Sequence, residues 1–417
     1  MDKILKMIKK IPMILKREGM GGVLRRTLQK LHIVSIKADP LALYEFITDT
    51  KQTSLNQETY QKHKNDQIKI LNWVIPEMGE GSGGHTTIFR FISNLEKRGF
   101  HSRIYLFRAN RFFNNKTLRI FVATAFPILD SKVELYYDVK YMKFAHATFA
   151  TSWDTAYYVR NFNNTISKFY FVQDFEPYFY AHGSEYQFAE RTYTFGFRGI
   201  TAGDWLKEKL NKEYGMRTDS FLFSYQKDVY YPVSRKDSKR RIFFYARPVT
   251  PRRDFELGLL ALYEVCKRMP DVEVIFAGWD LDDYVIPFKH KSLGVVSMQK
   301  LAECYNMCDM CLVISNTNLS LVPLEVMACG SVAICSKGEN SSWMVNSNNA
   351  VLVDYNPLDI ADTIEYYFNN PDKLKAIREK GLEFVKKTSW EKEADKVKEI
   401  IVSAINEDKE IMDIKEK

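Results

Sequence analysis

Three arginines lie close together in the segment YARPVTPRRDFELG, residues 245–258. Arg247, Arg252 and Arg253 stand between an apolar run that predicts a strand and a periodic run that predicts a helix. A guanidinium donates to two phosphate oxygens at once, and a helix N-terminus favours an anion. The loop is therefore a candidate site for a diphosphate. The alternative is an ordinary surface cluster whose arginines pair with neighbouring acidic residues.

A single carboxylate stands in the largely apolar segment LSLVPLEVMACG, residues 319–330. Pro323 suits the start of a helix, which places Glu325 in the first turn, where the helix dipole stabilises a negative charge. The dipole alone would explain this glutamate. If the helix begins beside the arginine loop, however, Glu325 would accept hydrogen bonds from sugar hydroxyls. A diphosphate next to a ribose describes a nucleotide-sugar.

A glycine-rich turn, PEMGEGSGGHTT at residues 76–87, joins a predicted strand to a predicted helix. Gly83 and Gly84 would let the backbone approach a ligand closely, and His85 follows them. The spacing does not fit the dinucleotide-binding pattern G-x-G-x-x-G, so a plain turn remains the alternative.

Apolar strands alternate with amphipathic helices in two series, one from residue 68 and one from residue 241. This alternation predicts an α/β protein with two parallel sheets, each covered by helices on both faces. Ligands of such doubly wound domains bind at the carboxyl ends of the strands. We predict two Rossmann-like domains facing a cleft, over residues 61–232 and 233–387. A final helix, residues 388–417, would return to the first domain.

The chain begins with a basic amphipathic segment. Residues 1–40 contain ten lysines and arginines but three acidic residues, so they carry nearly all of the net charge of +8. The extension and the linker that follows it cover residues 1–60, and the basic segment is either a surface helix or a peripheral contact with an anionic membrane. Because the remainder is nearly neutral, we expect no nucleic acid partner.

Composition is that of a soluble globular protein. No apolar run approaches the roughly 20 residues that span a bilayer, and lysines interrupt the first apolar stretches, unlike a signal peptide. The six cysteines lie within residues 266–335, mostly in apolar segments, which favours reduced thiols and a cytoplasmic location. The C-x-x-C at Cys308 and Cys311 has no nearby histidine, so small core residues are favoured over a zinc or redox site.

The segment SLVPLEVMACGSVAI resembles the signature of glycosyltransferase family 4, the retaining nucleotide-sugar enzymes of GT-B architecture. In that family two glutamates are separated by seven residues; the second contacts the ribose and the first the donor sugar. The resemblance places Glu325 at the second position and Thr317, a departure from the pattern, at the first. It also implies phosphate binding by Arg247 and Arg252, and donor contacts from Gly83, Gly84 and Lys300.

The segment YFVQDFEPYFY, followed by AERTY and GDWL, resembles bacterial rhamnosyltransferases, including those that extend S-layer polyrhamnose glycans. Where the family often has His-Asp, this chain has Gln173 and Asp174, and the resemblance makes Asp174 a catalytic candidate. Residues 169–197 hold twelve aromatic side chains, either buried core or sugar-binding faces. The acceptor or sugar candidates are His85, Gln173, Glu176 and His182.

The resemblance therefore implies transfer of L-rhamnose from dTDP-rhamnose to a growing, lipid-linked bacterial glycan, with retention of configuration. Arg247 and Arg252 would act catalytically by stabilising the departing diphosphate. We expect no cofactor and no metal, and a cytoplasmic location at the inner face of the membrane. Two alternatives are a nucleotide-sugar epimerase of the same fold, which needs no acceptor, and a non-catalytic carbohydrate-binding protein, which has no use for the arginine loop.

Overall fold

The computed structural model describes residues 39–235 and 237–415. The predicted basic segment, residues 1–40, lies outside the described residues except for its last two. Asp39 accepts a hydrogen bond from the backbone N–H of Ala42 at 3.0 Å and so caps the first described helix.

Seven parallel strands form the sheet of the first half of the chain. They are β1 (Ile70–Pro76), β2 (His101–Phe107), β3 (Glu134–Tyr136), β4 (Ala145–Ala150), β5 (Thr165–Val172), β6 (Arg198–Ala202) and β7 (Arg217–Phe221). Their order is β3-β2-β1-β4-β5-β6-β7, so the direction of winding reverses between β1 and β4. Because helices cover both faces, β1 and β4 are buried along most of their length, which explains their continuous apolar runs.

Helices and short 3₁₀ turns connect these strands. Apolar residues at helical spacing predict the helix after β1, and Ile88, Phe91, Ile92 and Leu95 are all buried there. The helices are α1 (Pro40–Thr48), α2 (Gln57–His63), α3 (Gly83–Glu96), α4 (Asn115–Ala125), α5 (Trp153–Asn161), α6 (Ser184–Arg191) and α7 (Asp204–Tyr214). The 3₁₀ turns are Val139–Tyr141, Glu176–Phe179 and Thr192–Thr194.

A second parallel sheet of six strands follows, in the order β10-β9-β8-β11-β12-β13. Its strands are β8 (Arg241–Tyr245), β9 (Glu273–Ala277), β10 (His290–Ser292), β11 (Met310–Val313), β12 (Val332–Ser336) and β13 (Val351–Val353). Its helices are α8 (Phe255–Arg268), α9 (Met298–Met307), α10 (Val322–Ala328), α11 (Glu339–Ser342), α12 (Pro357–Asn369) and α13 (Pro371–Lys386), and Pro251–Arg253 is a 3₁₀ turn. The two doubly wound units predicted from the alternation are thus both present.

The last described helix, α14 (Trp390–Lys415), packs on the first sheet rather than on the second. Ala394, Val397 and Ile401 are fully buried along it. Asp408 on this helix forms an ion pair of 2.6 Å with Arg198 at the start of β6. The first domain therefore includes residues from both ends of the described chain.

The two halves also pack against each other at Gly203, which follows β6. Gly203 has φ +84°, and a Cβ atom there would lie 2.3 Å from the indole ring of Trp343 in the second half. Both the backbone conformation and the lack of space require glycine.

The cysteines and about half of the aromatic cluster belong to the core. All six cysteines are free and buried, in agreement with the prediction of reduced thiols. The aromatic side chains between residues 169 and 197 that are buried are Phe169, Tyr170, Phe171, Phe175, Tyr193 and Phe197. No helix in the described part of the chain is long and apolar enough to cross a membrane.

Candidate functional site

The carboxyl edges of the two sheets meet at Asp174, two residues beyond the end of β5. Thr317 and Asn318, in the loop after β11, approach this aspartate from the other half of the chain. The hydroxyl of Thr317 donates to Asp174 Oδ2 at 2.8 Å, and the backbone N–H of Asn318 donates to Oδ1 at 3.1 Å. All three residues are buried, so this contact closes the bottom of the cleft.

Asp174 is a buried carboxylate beside two arginines. Burial raises the pKa of its carboxyl, whereas Arg253 and the hydrogen bonds from Asn318 and Thr317 oppose that rise. Arg252 lies nearby, with Nε 4.0 Å from Asp174 Oδ2. The contact of Asp174 with Thr317 and Asn318 forms the seam between the domains, and at this seam the carboxylate lies close to the guanidinium groups of two arginines.

The three arginines of the loop have different environments. Arg253 is partly buried, and its Nη1 donates to Ser315 Oγ at 3.0 Å and to the carbonyl of Asn318 at 2.7 Å. Burial lowers its pKa to about 10. Arg253 therefore braces the loop after β11, which holds Thr317 and Asn318 against Asp174.

Arg252 and Arg247 contact aromatic rings, and their guanidinium groups are less occupied by hydrogen bonds to the protein than that of Arg253. The guanidinium of Arg252 stacks 3.9 Å from the ring centre of Phe179, which comes from the first half of the chain. Arg247 is partly exposed, and its guanidinium lies 6.0 Å from the ring centre of Tyr245. Among the residues that the structure describes, no carboxylate forms an ion pair with Arg247. An anion entering the cleft would thus meet an uncompensated charge there.

Glu325 occupies the first turn of α10, as predicted, and is partly buried. Burial raises the pKa of its carboxyl to about 7, while Tyr230 and Arg90 act in the opposite direction. Arg90 lies on α3 of the first domain, where its Nη2 donates to Gln226 at 3.1 Å. The carboxylate of Glu325 thus interacts with Arg90 of the first domain and with Tyr230 of the segment that connects the two domains.

The glycine-rich turn caps α3 at the same edge. Gly83 and Gly84 are its first residues, and both are exposed. His85 Nδ1 lies 2.7 Å from the hydroxyl of Ser82, and burial lowers the pKa of His85 to about 4, so its ring is neutral at physiological pH. Gln173 joins the turn to the seam, because its side-chain amide donates to the carbonyl of Gly84 at 3.1 Å.

The structure does not bring Glu176 to the ligand side of this site. Its carboxylate is buried and accepts hydrogen bonds from the hydroxyl of Tyr170 at 2.7 Å and from the backbone N–H of Trp153 at 2.8 Å. Burial raises its pKa to about 8. Both donors belong to the first domain, and among the described residues the structure gives the Glu176 carboxylate no hydrogen bond with the second domain, so it shows a supporting role at the start of α5 in place of the expected acceptor or sugar contact.

Two further candidates stand apart from the seam. His182 is exposed, with its ring 4.7 Å from that of Tyr186. Lys300 is exposed on α9 and forms an ion pair of 2.6 Å with Glu303. The structure gives neither residue a contact with Asp174, Glu325 or the arginine loop, so their assignments stay predictions.

Asn318 and Arg90 are site residues that sequence reasoning missed. Asn318 also donates through its side-chain amide to the carbonyl of Gln173 at 3.0 Å, so it binds two adjacent residues of the first domain. Asn318 directly follows Thr317, a predicted site residue, and this position in the sequence could have indicated its role. Arg90 carried no signal beyond its place on the helix after the glycine turn.

Metal ligands are not clustered in the described residues. In the ranges 39–235 and 237–415 no group of three or more His, Cys, Asp or Glu side chains is placed to hold an ion. Asp280 and Asp282 form a D-x-D tripeptide, but the backbone N–H of Asp282 donates to Asp280 Oδ1 at 3.0 Å in a local turn. The expectation of a metal-independent reaction stays a prediction.

Comparisons with known sequences support this architecture. A family model, the C-terminal domain of WsaF, matches residues 240–365. The O-antigen biosynthesis protein RfbC of Myxococcus xanthus is 29% identical over 343 residues, which cover 79% of this chain and 27% of RfbC. An uncharacterized glycosyltransferase of Methanocaldococcus jannaschii is 32% identical over 103 residues, 24% of this chain and 29% of that protein. The chain thus spans about a quarter of the length of the curated relatives it matches.

Solved structures resemble the chain over most of its length. Sucrose-phosphate synthase of Thermosynechococcus elongatus superposes with a TM-score of 0.62 at 15% identity, covering 81% of this chain and 99% of that one. HepE of Anabaena, in complex with UDP, gives a TM-score of 0.62 at 15% identity, covering 81% and 100%. TarM of S. aureus gives 0.65 at 9% identity, covering 81% and 99%. These likenesses show that the chain has the GT-B fold, with two Rossmann-like domains facing a cleft.

Proposed function

We propose that the protein is a glycosyltransferase that moves a sugar from a nucleoside diphosphate onto a growing bacterial glycan. The proposed donor is dTDP-rhamnose and the proposed acceptor is lipid-linked, so that the reaction takes place at the cytoplasmic face of the membrane. Nothing in the proposed chemistry calls for a metal ion or another cofactor.

The observation that carries the proposal is the environment of Arg247. This guanidinium stands at the carboxyl edge of the second sheet without a carboxylate partner among the described residues, five positions before Arg252. Two arginine forks at the carboxyl ends of parallel strands are suited to the two phosphoryl groups of a nucleoside diphosphate. Arg253 braces the loop, so it is not counted among the phosphate ligands.

The remaining groups fit the other parts of a nucleotide-sugar. Glu325 would accept hydrogen bonds from the ribose hydroxyls, next to Tyr230. Asp174, held by Thr317, would accept from the hydroxyls of the transferred sugar or of the acceptor. The exposed Gly83 and Gly84 would allow close approach of the donor phosphates from the opposite wall.

Catalysis would rest on charge stabilisation. As the bond between the anomeric carbon and the diphosphate breaks, negative charge develops on the departing phosphate oxygen, where Arg247 and Arg252 are placed to stabilise it. The acceptor oxygen would attack from the same face, which gives retention, and its proton would pass to the departing phosphate. Water exclusion by the cleft would suppress hydrolysis of the donor.

The comparisons support the class of reaction at a coarser level. RfbC is named for O-antigen biosynthesis, and HepE was solved with UDP and with UDP and glucose. These names apply to RfbC and HepE themselves. The similarity to both proteins favours a nucleotide-sugar donor and a glycan product here, and the choice of rhamnose and of dTDP rests on the sequence resemblance.

The test is a thermal shift measurement against dTDP, UDP, GDP and ADP, each alone and as its sugar conjugate, followed by product analysis with a rhamnan acceptor. We expect dTDP and dTDP-rhamnose to raise the melting temperature most, and rhamnose to be added to the acceptor. Release of an epimerised sugar nucleotide without any acceptor would favour the epimerase. Failure to bind every nucleotide would favour a carbohydrate-binding protein.

A further inference from the structure

A cavity of about 520 Å³ lies at the edge of the first sheet opposite to the cleft. The amino ends of β5, β6 and β7 form its floor, and α14 forms one wall. Strands in a parallel sheet all point the same way, so this cavity and the carboxyl edge with Asp174 lie at opposite ends of the domain. The nucleotide-sugar site proposed above does not use it.

Two cations line this cavity without a carboxylate partner among the residues that the structure describes. The ammonium of Lys168 donates to the carbonyl of Arg160 at 2.7 Å and to Asn163 Oδ1 at 2.8 Å, both neutral acceptors. The guanidinium of Arg160 lies 5.2 Å from the ring centre of Tyr157 and 4.8 Å from that of Phe195. Within the described ranges neither cation has an ion pair. The charge of Lys168 is costly, since burial lowers its pKa to about 8 and no carboxylate of the described residues pairs with it.

The other cations at the cavity provide a contrast within the same wall. Arg198 pairs with Asp408 at 2.6 Å, and Arg217 pairs with Glu407 at 2.9 Å. The fold therefore neutralises the arginines at the starts of β6 and β7 and leaves the Lys168 side positive. Because proteins pair most of their buried charges, a partly buried cation without an ion pair beside an open cavity is a favourable place for an anion.

Apolar side chains adjoin these cations. Leu55, Ile166, Phe195 and Met412 line the same cavity, and Ile411 at its rim is 49% exposed. A small inorganic anion would leave this apolar surface in contact with water. A phosphoryl group that carries a hydrocarbon chain would pair with the cations and cover the apolar wall together.

We propose that this cavity binds the phosphoryl group of a lipid phosphate, with Lys168 and Arg160 as its counter-charges and the apolar wall against the first part of the chain. The site is distinct from the cleft and does not depend on the proposed transferase activity. A free organic or inorganic phosphate presents the same anionic chemistry, and the experiment separates the two sources.

The test measures the melting temperature of the full chain with dihexanoyl phosphatidic acid below its micelle concentration, with inorganic phosphate, and with dihexanoylglycerol, which lacks the phosphate. We expect phosphatidic acid to stabilise the protein most. Lys168→Met should weaken that binding by about tenfold or more, the loss of one charge-assisted hydrogen bond, and Lys168→Arg should largely restore it. Lys375→Met is the matched control, since its side chain is exposed on α13, and it should bind like the wild type.

Three results would overturn the proposal. They are an unchanged melting temperature of the wild type with phosphatidic acid, an equal shift in Lys168→Met, and an equal shift with dihexanoylglycerol. A shift as large with inorganic phosphate would retain the anion site and overturn its assignment to a lipid. Arg247→Ala should leave the phosphatidic acid shift intact. If Arg247→Ala abolishes that shift, the ligand is bound in the cleft.

Discussion

Replacing Arg247 and Arg253 separately by alanine should affect two different properties of the protein. Arg247 is partly exposed and makes only a distant ring contact, so its removal should leave the fold unchanged. Arg253 is partly buried and donates to Ser315 and to the carbonyl of Asn318. Its removal should loosen the loop that carries Thr317.

The magnitudes follow from these contacts. A hydrogen bond to a charged group contributes about 1.5–3 kcal/mol, so Arg247→Ala should weaken the binding of dTDP by about 10- to 150-fold. Arg253→Ala removes two hydrogen bonds from a charged donor, and each such bond contributes about 1.5–3 kcal/mol to the folding free energy. Asp174 also loses the charge of Arg253, which opposes the rise in its pKa. Nucleotide affinity should fall only as far as the loop becomes disordered.

Titration calorimetry with dTDP and urea unfolding of the same preparations separate the two effects. Arg247→Lys is the matched control for charge, because lysine keeps the cation but loses the bidentate fork. Binding of dTDP by Arg247→Ala within about twofold of the wild type would refute the role of Arg247 as a phosphate ligand. An Arg253→Ala variant that keeps its folding stability and loses nucleotide affinity would make Arg253 the phosphate ligand instead.

Four further outcomes are expected. Asp174→Asn should greatly reduce sugar transfer while leaving dTDP affinity nearly unchanged, measured by product formation and calorimetry; near-normal turnover would remove Asp174 from the site. Glu325→Gln should reduce nucleotide affinity without lowering the melting temperature, whereas a lower melting temperature with unchanged affinity would make Glu325 a helix-terminus charge only. The pKa of Glu176, raised to about 8, means that the folded protein holds this proton more tightly than the unfolded chain, so folding stability should decrease as the pH rises from 4.5 to about 8. Glu176→Gln should flatten that decrease in urea unfolding, and an unaltered slope would refute the assignment. Deleting residues 1–40 should abolish binding to anionic vesicles at low salt while dTDP binding persists; full-length protein that does not bind such vesicles would exclude the membrane role.

The features predicted correctly from the sequence are those that depend on neighbouring residues. The alternation of apolar strands and helices gave both sheets, and the start of α10 at Val322 followed from Pro323. Strands β6 and β7 were harder to recognise, because they are short and contain glycine, threonine and charged residues. Their pairing with β5 in the sheet, rather than their own composition, makes them strands.

The site was predictable only in part, because its decisive contacts join residues that are distant in sequence. Asn318 donates to Asp174 across the cleft, and no local pattern links these two positions. Similarly, Glu176 lies two residues from Asp174 and has the same chemical type, yet its side chain turns into the core and meets Tyr170. Residue type and spacing identified which groups could bind a nucleotide-sugar, whereas tertiary packing decided which of them are free to do so.

The return of α14 to the first sheet has a consequence for how the protein is made. During synthesis, the strands of the first domain leave the ribosome long before residues 390–415 exist, so the surface that later contacts Val397 and Ile401 stays exposed. The second domain, residues 241–386, can complete its own packing before the first does, which reverses the usual N-terminal-first order of folding. Nascent chains arrested before residue 390 should therefore be cleaved by protease in the first domain and protected in the second.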